Sequence, residues 1–199
     1  MKTLKHKLIA AFIAAGLSAP AAFVAYDLTL PSEGYVPFSY SDTGGLTTYC
    51  VGRLALKGEV VKKSYTEEEC MKVFAEDWKK HEKQIVKAVG GGDKFSSPWQ
   101  QAAATDMTFN NGIGLIGPST MVSLIKQGKH EQACQQLTRW VKGRVKGVLV
   151  TLRGLVTRRD KTMPYCLGEL SWDKQQAYLE FEREYNEIKA SKELETTAD

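Results

Sequence analysis

The sequence predicts an α+β protein, mainly helical, with a small antiparallel β-hairpin region and an N-terminal apolar helix. Three features predict it. Residues 32–61 are rich in Gly, Thr, Tyr and Val, with turn residues between short apolar stretches. From Tyr65 onward apolar residues recur at helical spacing, and the N-terminus opens on an uncharged, alanine-rich run. Of 199 residues, 43% are hydrophobic and 25% charged, which excludes a disordered tail protein, a collagen-like fibre and a polytopic membrane protein. The length suits one domain with an appendage. A net charge of +4 leaves nucleic acid, an anionic membrane surface and an anionic wall polymer open as partners. Cys50, Cys70, Cys134 and Cys166 are too few for a disulfide miniprotein and too widely spaced for a zinc site built on C-x2-C pairs.

Lys2, Lys5 and Lys7 precede a run from Leu8 to Tyr26 of 19 residues without a formal charge, just long enough to cross about 30 Å of hydrocarbon as one helix. Eight of the 19 are alanine, and Gly16, Ser18 and Pro20 add nothing apolar. Insertion therefore gains only about −2 to −4 kcal/mol before the penalties of those three residues. Such a segment is recognised for export yet is a poor permanent anchor. The basic residues before it place the N-terminus in the cytoplasm and residues from Asp27 onward outside. Ala19-Pro20-Ala21 also fits the small-x-small pattern of a cleavage site, so retention is expected and cleavage is the alternative. Either way the body leaves the cytoplasm, where two disulfides become chemically reasonable.

After Pro31 a hairpin is expected with Thr43-Gly44-Gly45 as its turn. Thr66-Glu67-Glu68-Glu69 is a capping-box pattern, and Cys70, Val73, Phe74, Trp78, His81, Ile85 and Val89 continue one helix up to Gly90-Gly91-Gly92. Ser97-Pro98 starts a second helix that runs toward Asn110-Asn111-Gly112. A third is expected from near Ser119 to Gly128, and a fourth over about 130–141. Residues 139–161 hold eight basic side chains against one acid, Asp160, and are read as a solvated helix face or an anion-facing cleft wall. Export argues against nucleic acid. From Glu180 the tail carries seven acids and three bases, and a solvated, fraying helix is expected. His6, His81 and His130 are scattered, so no metal or other cofactor is expected.

Glu33, Asp42 and Thr48 place two carboxylates and a hydroxyl within 16 residues across a helix-to-hairpin transition. Folding such a hairpin back brings these groups face to face. Glycoside hydrolysis needs that arrangement: one protonated acid for the leaving oxygen and one acceptor for the attacking water.

Residues Glu33 to Gly52, in the form E-x8-D-x5-T-x3-G, resemble the catalytic signature of the phage-type lysozymes, glycoside hydrolase family 24. Gln101-Ala102 through Phe109-Asn110-Asn111-Gly112 is similar to the family's Q-x-A…F-N-x-G helix, Ser119-Thr120 to its next helix start, and Gly154-Leu155-Val156-Thr157-Arg158-Arg159 to its G-L-V-x-R-R segment. The N-terminal run resembles the anchors of the signal-arrest-release endolysins. The resemblance implies a lysozyme-like fold, with an anchor segment at 1–27, a catalytic domain at 28–168 and a helical, acidic tail at 169–199. It implies a muramidase that cleaves the β-1,4 bond between N-acetylmuramic acid and N-acetylglucosamine in peptidoglycan. The enzyme would act as a monomer, held first in the host inner membrane and then freed into the periplasm to lyse the cell. A lytic transglycosylase of the same fold and a catalytically silent wall-binding protein are the alternatives.

Within that resemblance Glu33 would be the general acid, partly buried so that desolvation keeps its proton. Asp42 would be the base or electrostatic stabiliser, with Thr48, rather than the adjacent Thr47, holding the water. The family is regarded as inverting, which implies carboxyls roughly 6.5–9.5 Å apart. Cys50, Asn110 and Arg158 are candidates for the cleft, Arg158 alternatively being one more member of a basic face. In the subgroup a cysteine at the position of Cys50 can exchange disulfides with the anchor. The anchor here holds none, so regulation by topology is expected instead. Four cysteines allow three pairings; Cys50 with Cys70 and Cys134 with Cys166 is preferred, and four reduced thiols are the alternative. Pro164 should end or kink its helix, so residues 160–168 are expected to depart from the family.

Overall fold

A computed structural model describes residues 3–41 and 45–197. Asp42, Thr43 and Gly44, and with them the expected catalytic Asp42 and most of the expected turn, lie outside the described residues. By internal contacts the chain falls into two compact units, Met1–Lys79 with Gln176–Asp199, and Lys80–Gln175.

In the first unit the N-terminal run is not one helix. It forms α1 (Leu4–Ala14) and α2 (Ala19–Val24), followed by a π-helical turn (Ala25–Thr29) and α3 (Leu30–Glu33). No helix among the described residues is long and apolar enough to cross a membrane. Where one helix was expected the run forms two short ones, and the cause is local. Gly16 takes φ +70°, which ends α1, and Ser18 accepts the Ala21 N–H as the cap of α2. Pro20 then sits in the first turn of α2, where a missing N–H costs nothing.

The apolar residues of this run make up much of the core. Leu8, Ile9 and Phe12 are fully buried, and Phe12 meets the rings of Phe74 and Trp78 at 5.6 and 6.0 Å. Those two rings lie on α4 (Glu67–Val89), whose start is the predicted capping box: Thr66 Oγ1 accepts from Glu69 N–H, and Glu69 Oε2 accepts from Thr66 N–H. The tail is a helix as expected, α10 (Trp172–Thr197), and mostly exposed, but with Phe181 and Tyr185 buried. Its aromatic stripe found apolar partners in the N-terminal run, where composition had shown only charge. The β-region is a three-stranded antiparallel sheet of β1 (Val36–Ser41), β2 (Thr47–Cys50) and β3 (Arg53–Leu54), in that order.

The second unit is built on α5 (Pro98–Asn111) packed against α9 (Arg153–Leu167), with α6 (Ile113–Ile116), α7 (Thr120–Lys126) and α8 (His130–Gln135) between them in sequence. Ser97 and Ser119 cap α5 and α7 as their sequences predict. The fourth predicted helix is shorter than expected, α8 passing into a 3-10 turn at Gln136–Arg139.

Of the basic stretch expected as a helix face or a cleft wall, the part holding Lys142, Arg144 and Lys146 is a β-hairpin, β4 (Lys142–Val145) and β5 (Val148–Thr151), while the residues from Arg153 onward lie on the helix α9. Lys146 and Gly147 both have positive φ, 48° and 83°, as a two-residue hairpin turn requires. Lysine in place of the usual Asn hid that turn. Pro164 does not end its helix either, since α9 continues to Leu167 and closes at Gly168 in the left-handed conformation. The proline lies within the last turn and removes only the N–H that would have met the carbonyl of Asp160, an exposed residue that water can reach.

His81, on the part of α4 in this unit, packs its ring 5.2 Å from Phe109. Burial, reinforced by the neighbouring Lys80 charge, pushes the imidazole down to about 4. The fold accepts only the neutral ring. Its contribution is therefore complete above the unfolded pKa of about 6.5 and is lost as pH falls toward 4. Urea denaturation between pH 7 and 4 should show His81→Gln gaining about 1–2 kcal/mol on the wild type as pH drops, a figure reduced for the ring's partial exposure. Parallel curves for the two proteins would contradict this.

Candidate functional site

Glu33 is the last residue of α3. Gly34, at φ +80°, turns the chain from that helix into β1, so the carboxylate sits at the hinge between helix and sheet. It is half-buried. Its side chain lies over Gly52: a Cβ built there would come within 3.3 Å of Glu33 Oε2 and 3.6 Å of Glu33 Cβ. Gly52 also has φ +64°, so this position needs glycine both for its backbone and for the space it leaves to Glu33.

Thr48 lies on β2 opposite Tyr40 of β1 and Leu54 of β3. It is buried, at 4% exposure, with Oγ1 3.5 Å from the Leu46 carbonyl oxygen. Thr47, the first residue of the strand, is exposed. Asp42 falls between β1 and β2, outside the described residues.

The end of β2 is held firmly. Cys50 is buried with φ 55°, a conformation unfavourable for a side chain with a Cβ, and its sulfur is bonded to Cys70 at the start of α4. Tyr49 donates to Glu59 Oε1 at 2.5 Å and stacks on Tyr65, and Arg53 donates to Asp77 Oδ1 at 2.6 Å. Burial and the Glu59 hydrogen bond push the Tyr49 phenol up to about 12, so it stays a donor. Together the disulfide and these bonds fix the turn that carries Gly52.

In the second unit Arg158 is buried and pairs with Asp106 of α5, its Nη2 2.7 Å from Oδ1, with Asp106 itself fully buried. It is no member of a solvated basic face. Sequence reading overlooked Asp106, though a lone acid within the uncharged stretch Ala102–Phe109 was the available signal. Arg159, also buried, donates to the Trp140 carbonyl at 3.0 Å and to Asn110 Oδ1, so the second candidate cleft residue is oriented by a guanidinium. Cys134 is bonded to Cys166, which ties α8 to the last turn of α9. A pocket in this unit is lined by Leu115, Met121, Gln136, Arg139 and Trp140, among others.

The sequence pattern of the family described as Phage lysozyme matches residues 31–162. The chain is 31% identical over 168 residues to the SAR-endolysin of Enterobacteria phage P21, covering 81% of this chain and 94% of that one. It is 29% identical over 135 residues to the SAR-endolysin of Pseudomonas phage phiKMV, covering 68% and 81%. Among solved structures it resembles the endolysin from Escherichia coli O157:H7 phage FAHEc1, with a TM-score of 0.64, 25% identity and coverage of 72% and 90%. It also resembles the active form of the P1 phage endolysin Lyz, with a TM-score of 0.66, 20% identity and coverage of 83% and 94%. The match over residues 31–162 takes in the helix-to-hairpin hinge with Glu33, Thr48 and Gly52 and the α5–α9 pairing with Asp106 and Arg158, and on that ground the chain belongs to the phage lysozyme family.

Proposed function

We propose that the chain is an endolysin of the muramidase type, hydrolysing the β-1,4 bond between N-acetylmuramic acid and N-acetylglucosamine in peptidoglycan to lyse a bacterial host. The observation that carries this reading is the half-buried Glu33 carboxyl seated over Gly52, on the same three-stranded sheet region as the buried Thr48, in a chain of the phage lysozyme family. Glu33 delivers a proton to the glycosidic oxygen as the bond to C1 breaks and positive charge develops on the sugar. Asp42 accepts a proton from the attacking water, and Thr48 holds that water in place. Cys50, through its bond to Cys70, keeps the turn beside Glu33 in shape.

Before release the N-terminal segment, residues 1–27, lies in the inner membrane with the catalytic residues on the periplasmic side. The weak hydrophobicity of its 19 uncharged residues makes that state reversible. SAR-endolysins of several phages are similar to this chain over most of its length, which supports the reading.

Digestion of purified sacculi followed by muropeptide analysis tests the chemistry. Wild type should release reducing ends, and Glu33→Gln should lower that release by about a thousandfold or more while keeping its fold. A 1,6-anhydro product would convert the assignment to a transglycosylase. Unchanged digestion by Glu33→Gln would remove Glu33 from the mechanism. A subtler variant probes the seat of the acid. Gly52→Ala should lose about tenfold or more in kcat, because the methyl group crowds Oε2 and displaces the proton donor. Its far-UV circular dichroism should stay unchanged.

A further inference from the structure

The hairpin β4–β5 takes no part in the chemistry above, and core packing does not account for its tip. Gly143 lies directly across the ladder from Val150, and Val145 from Val148, so these four residues share one face. Lys142, Arg144, Leu149 and Thr151 share the other. Leu152 covers the first face at its base: a Cβ on Gly143 would lie 2.6 Å from Leu152 Cδ1, and Val150 is half-buried. The cover ends there. Val145 and Val148 stand 47% and 63% exposed beside the turn, with Leu149 of the opposite face at 57%. Residues at hairpin turns are ordinarily polar, so three apolar side chains gathered at this tip point to a partner.

The charge around the tip has one sign. No acidic residue occurs between Glu131 and Asp160, and Arg139, Lys142, Arg144, Lys146 and Arg153 are all exposed. Among the described residues no carboxylate pairs with any of them. Arg144 Nη1 donates instead to the Gly147 carbonyl at 2.8 Å, which folds its guanidinium over the turn. An apolar tip within a basic collar suits an anionic lipid surface. Short branched side chains pass between headgroups, the aliphatic stems of Lys and Arg lie along them, and the charged ends meet phosphate. A sugar polymer offers hydroxyl and amide groups that need hydrogen-bonding partners, yet the one uncharged polar side chain in residues 142–151 is Thr151, at the base. Entry is limited to the tip, because both outer edges of a two-stranded ribbon carry unpaired N–H and C=O groups that hydrocarbon does not accept.

We propose that the β4–β5 hairpin is a membrane-surface contact, in which Val145, Val148 and Leu149 enter the headgroup region of an anionic phospholipid bilayer and the exposed bases hold the phosphates. The lipid is that of the periplasmic leaflet of the inner membrane, the first surface met by a body delivered to the periplasm. That choice of leaflet rests on the periplasmic reading of the catalytic residues. The contact is made by residues far in sequence from the N-terminal segment and does not depend on it. It holds the enzyme body in a thin layer beside the membrane, reversibly and with a strength that falls as salt rises.

The test mixes soluble full-length protein with phosphatidylcholine vesicles, with and without phosphatidylglycerol, and measures the bound share by flotation. Wild type should bind the mixed vesicles and should leave them as salt is raised. Each base beside an anionic surface is worth about fivefold in partition, so Lys142→Gln, Arg144→Gln and Lys146→Gln combined should weaken binding about a hundredfold and flatten its salt dependence. Val145→Ser with Val148→Ser should weaken it about tenfold and leave the salt dependence in place. The substituted positions are exposed, so far-UV circular dichroism should not change. Val148→Trp, which adds a probe and removes no contact, should emit at shorter wavelength on mixed vesicles and be quenched by lipids brominated near the headgroup. Any contribution of the N-terminal segment is common to all these proteins. Equal binding by wild type and both combined variants, with no quenching of Val148→Trp, would overturn the contact. Three other occupants would overturn it as well: sacculi, if the triple base variant loses pelleting with them and keeps vesicle binding; lipopolysaccharide, if wild type binds it and not the mixed vesicles; and a second copy of the chain, if a dimer forms without lipid and the double valine variant abolishes it. Failure of the periplasmic reading looks different, since protease added to spheroplasts would then not reach the body, which removes the choice of leaflet and leaves the vesicle results unchanged.

Discussion

The burial of an uncharged N-terminal segment is the constraint on which the first unit rests. Leu8, Ile9 and Phe12 have no exposure to water, and they close over Phe74 and Trp78, which are themselves fully buried. Each fully buried large side chain of this kind is worth about 1.5–3 kcal/mol. Without the segment, the α4 face that bears those two rings would lie open, and the aromatic stripe of α10 would have nothing to cover. A run with the composition of a weak membrane helix is therefore also a structural part of the folded protein.

The helix-to-sheet hinge at Glu33 depends on a second, more local constraint. The turn from β2 to β3 passes through Cys50 and Gly52, both at positive φ, and the first of these is unfavourable for a residue with a side chain. The bond to Cys70 and the half-buried cluster of Tyr49, Glu59, Arg53 and Asp77 hold that conformation in place. Glu33 then rests against a surface that cannot shift without disturbing the disulfide. Elsewhere in the chain, the Asp106–Arg158 pair is the corresponding fixed point. Two charges withdrawn from water are tolerated there because each neutralises the other at hydrogen-bond distance, and loss of either partner would leave a buried charge.

Much of the local architecture was legible in advance. The capping box at Thr66–Glu69, the Ser97-Pro98 start and the Ser119 cap all operate within one helical turn, so the residues that form them are neighbours in sequence. The motif from Glu33 to Gly52 is legible for the same reason, since a helix end, a hairpin and a tight turn follow one another without a long excursion. Other features were hidden by degenerate signals. A lysine at the turn of β4–β5 concealed a hairpin within a run of charges, and Pro164 suggested a helix end that its place in the last turn of α9 made unnecessary.

Nineteen uncharged residues with glycine, serine and proline in their midst are enough to specify a helix-forming, weakly apolar segment. They do not specify what covers it. Lipid and protein both bury apolar surface, and periodicity within the segment is the same in either setting. The choice made in this structure comes from residues far away in the chain: Phe74, Trp78 and Lys79 on one helix, and Phe181, Glu184 and Tyr185 on another more than 150 residues from the segment they touch. The pairing of Asp106 with Arg158, 52 positions apart, has the same character. A cap or a turn is a contact between near neighbours and can be read directly, whereas a partner brought in by folding is visible only once the chain has closed on itself.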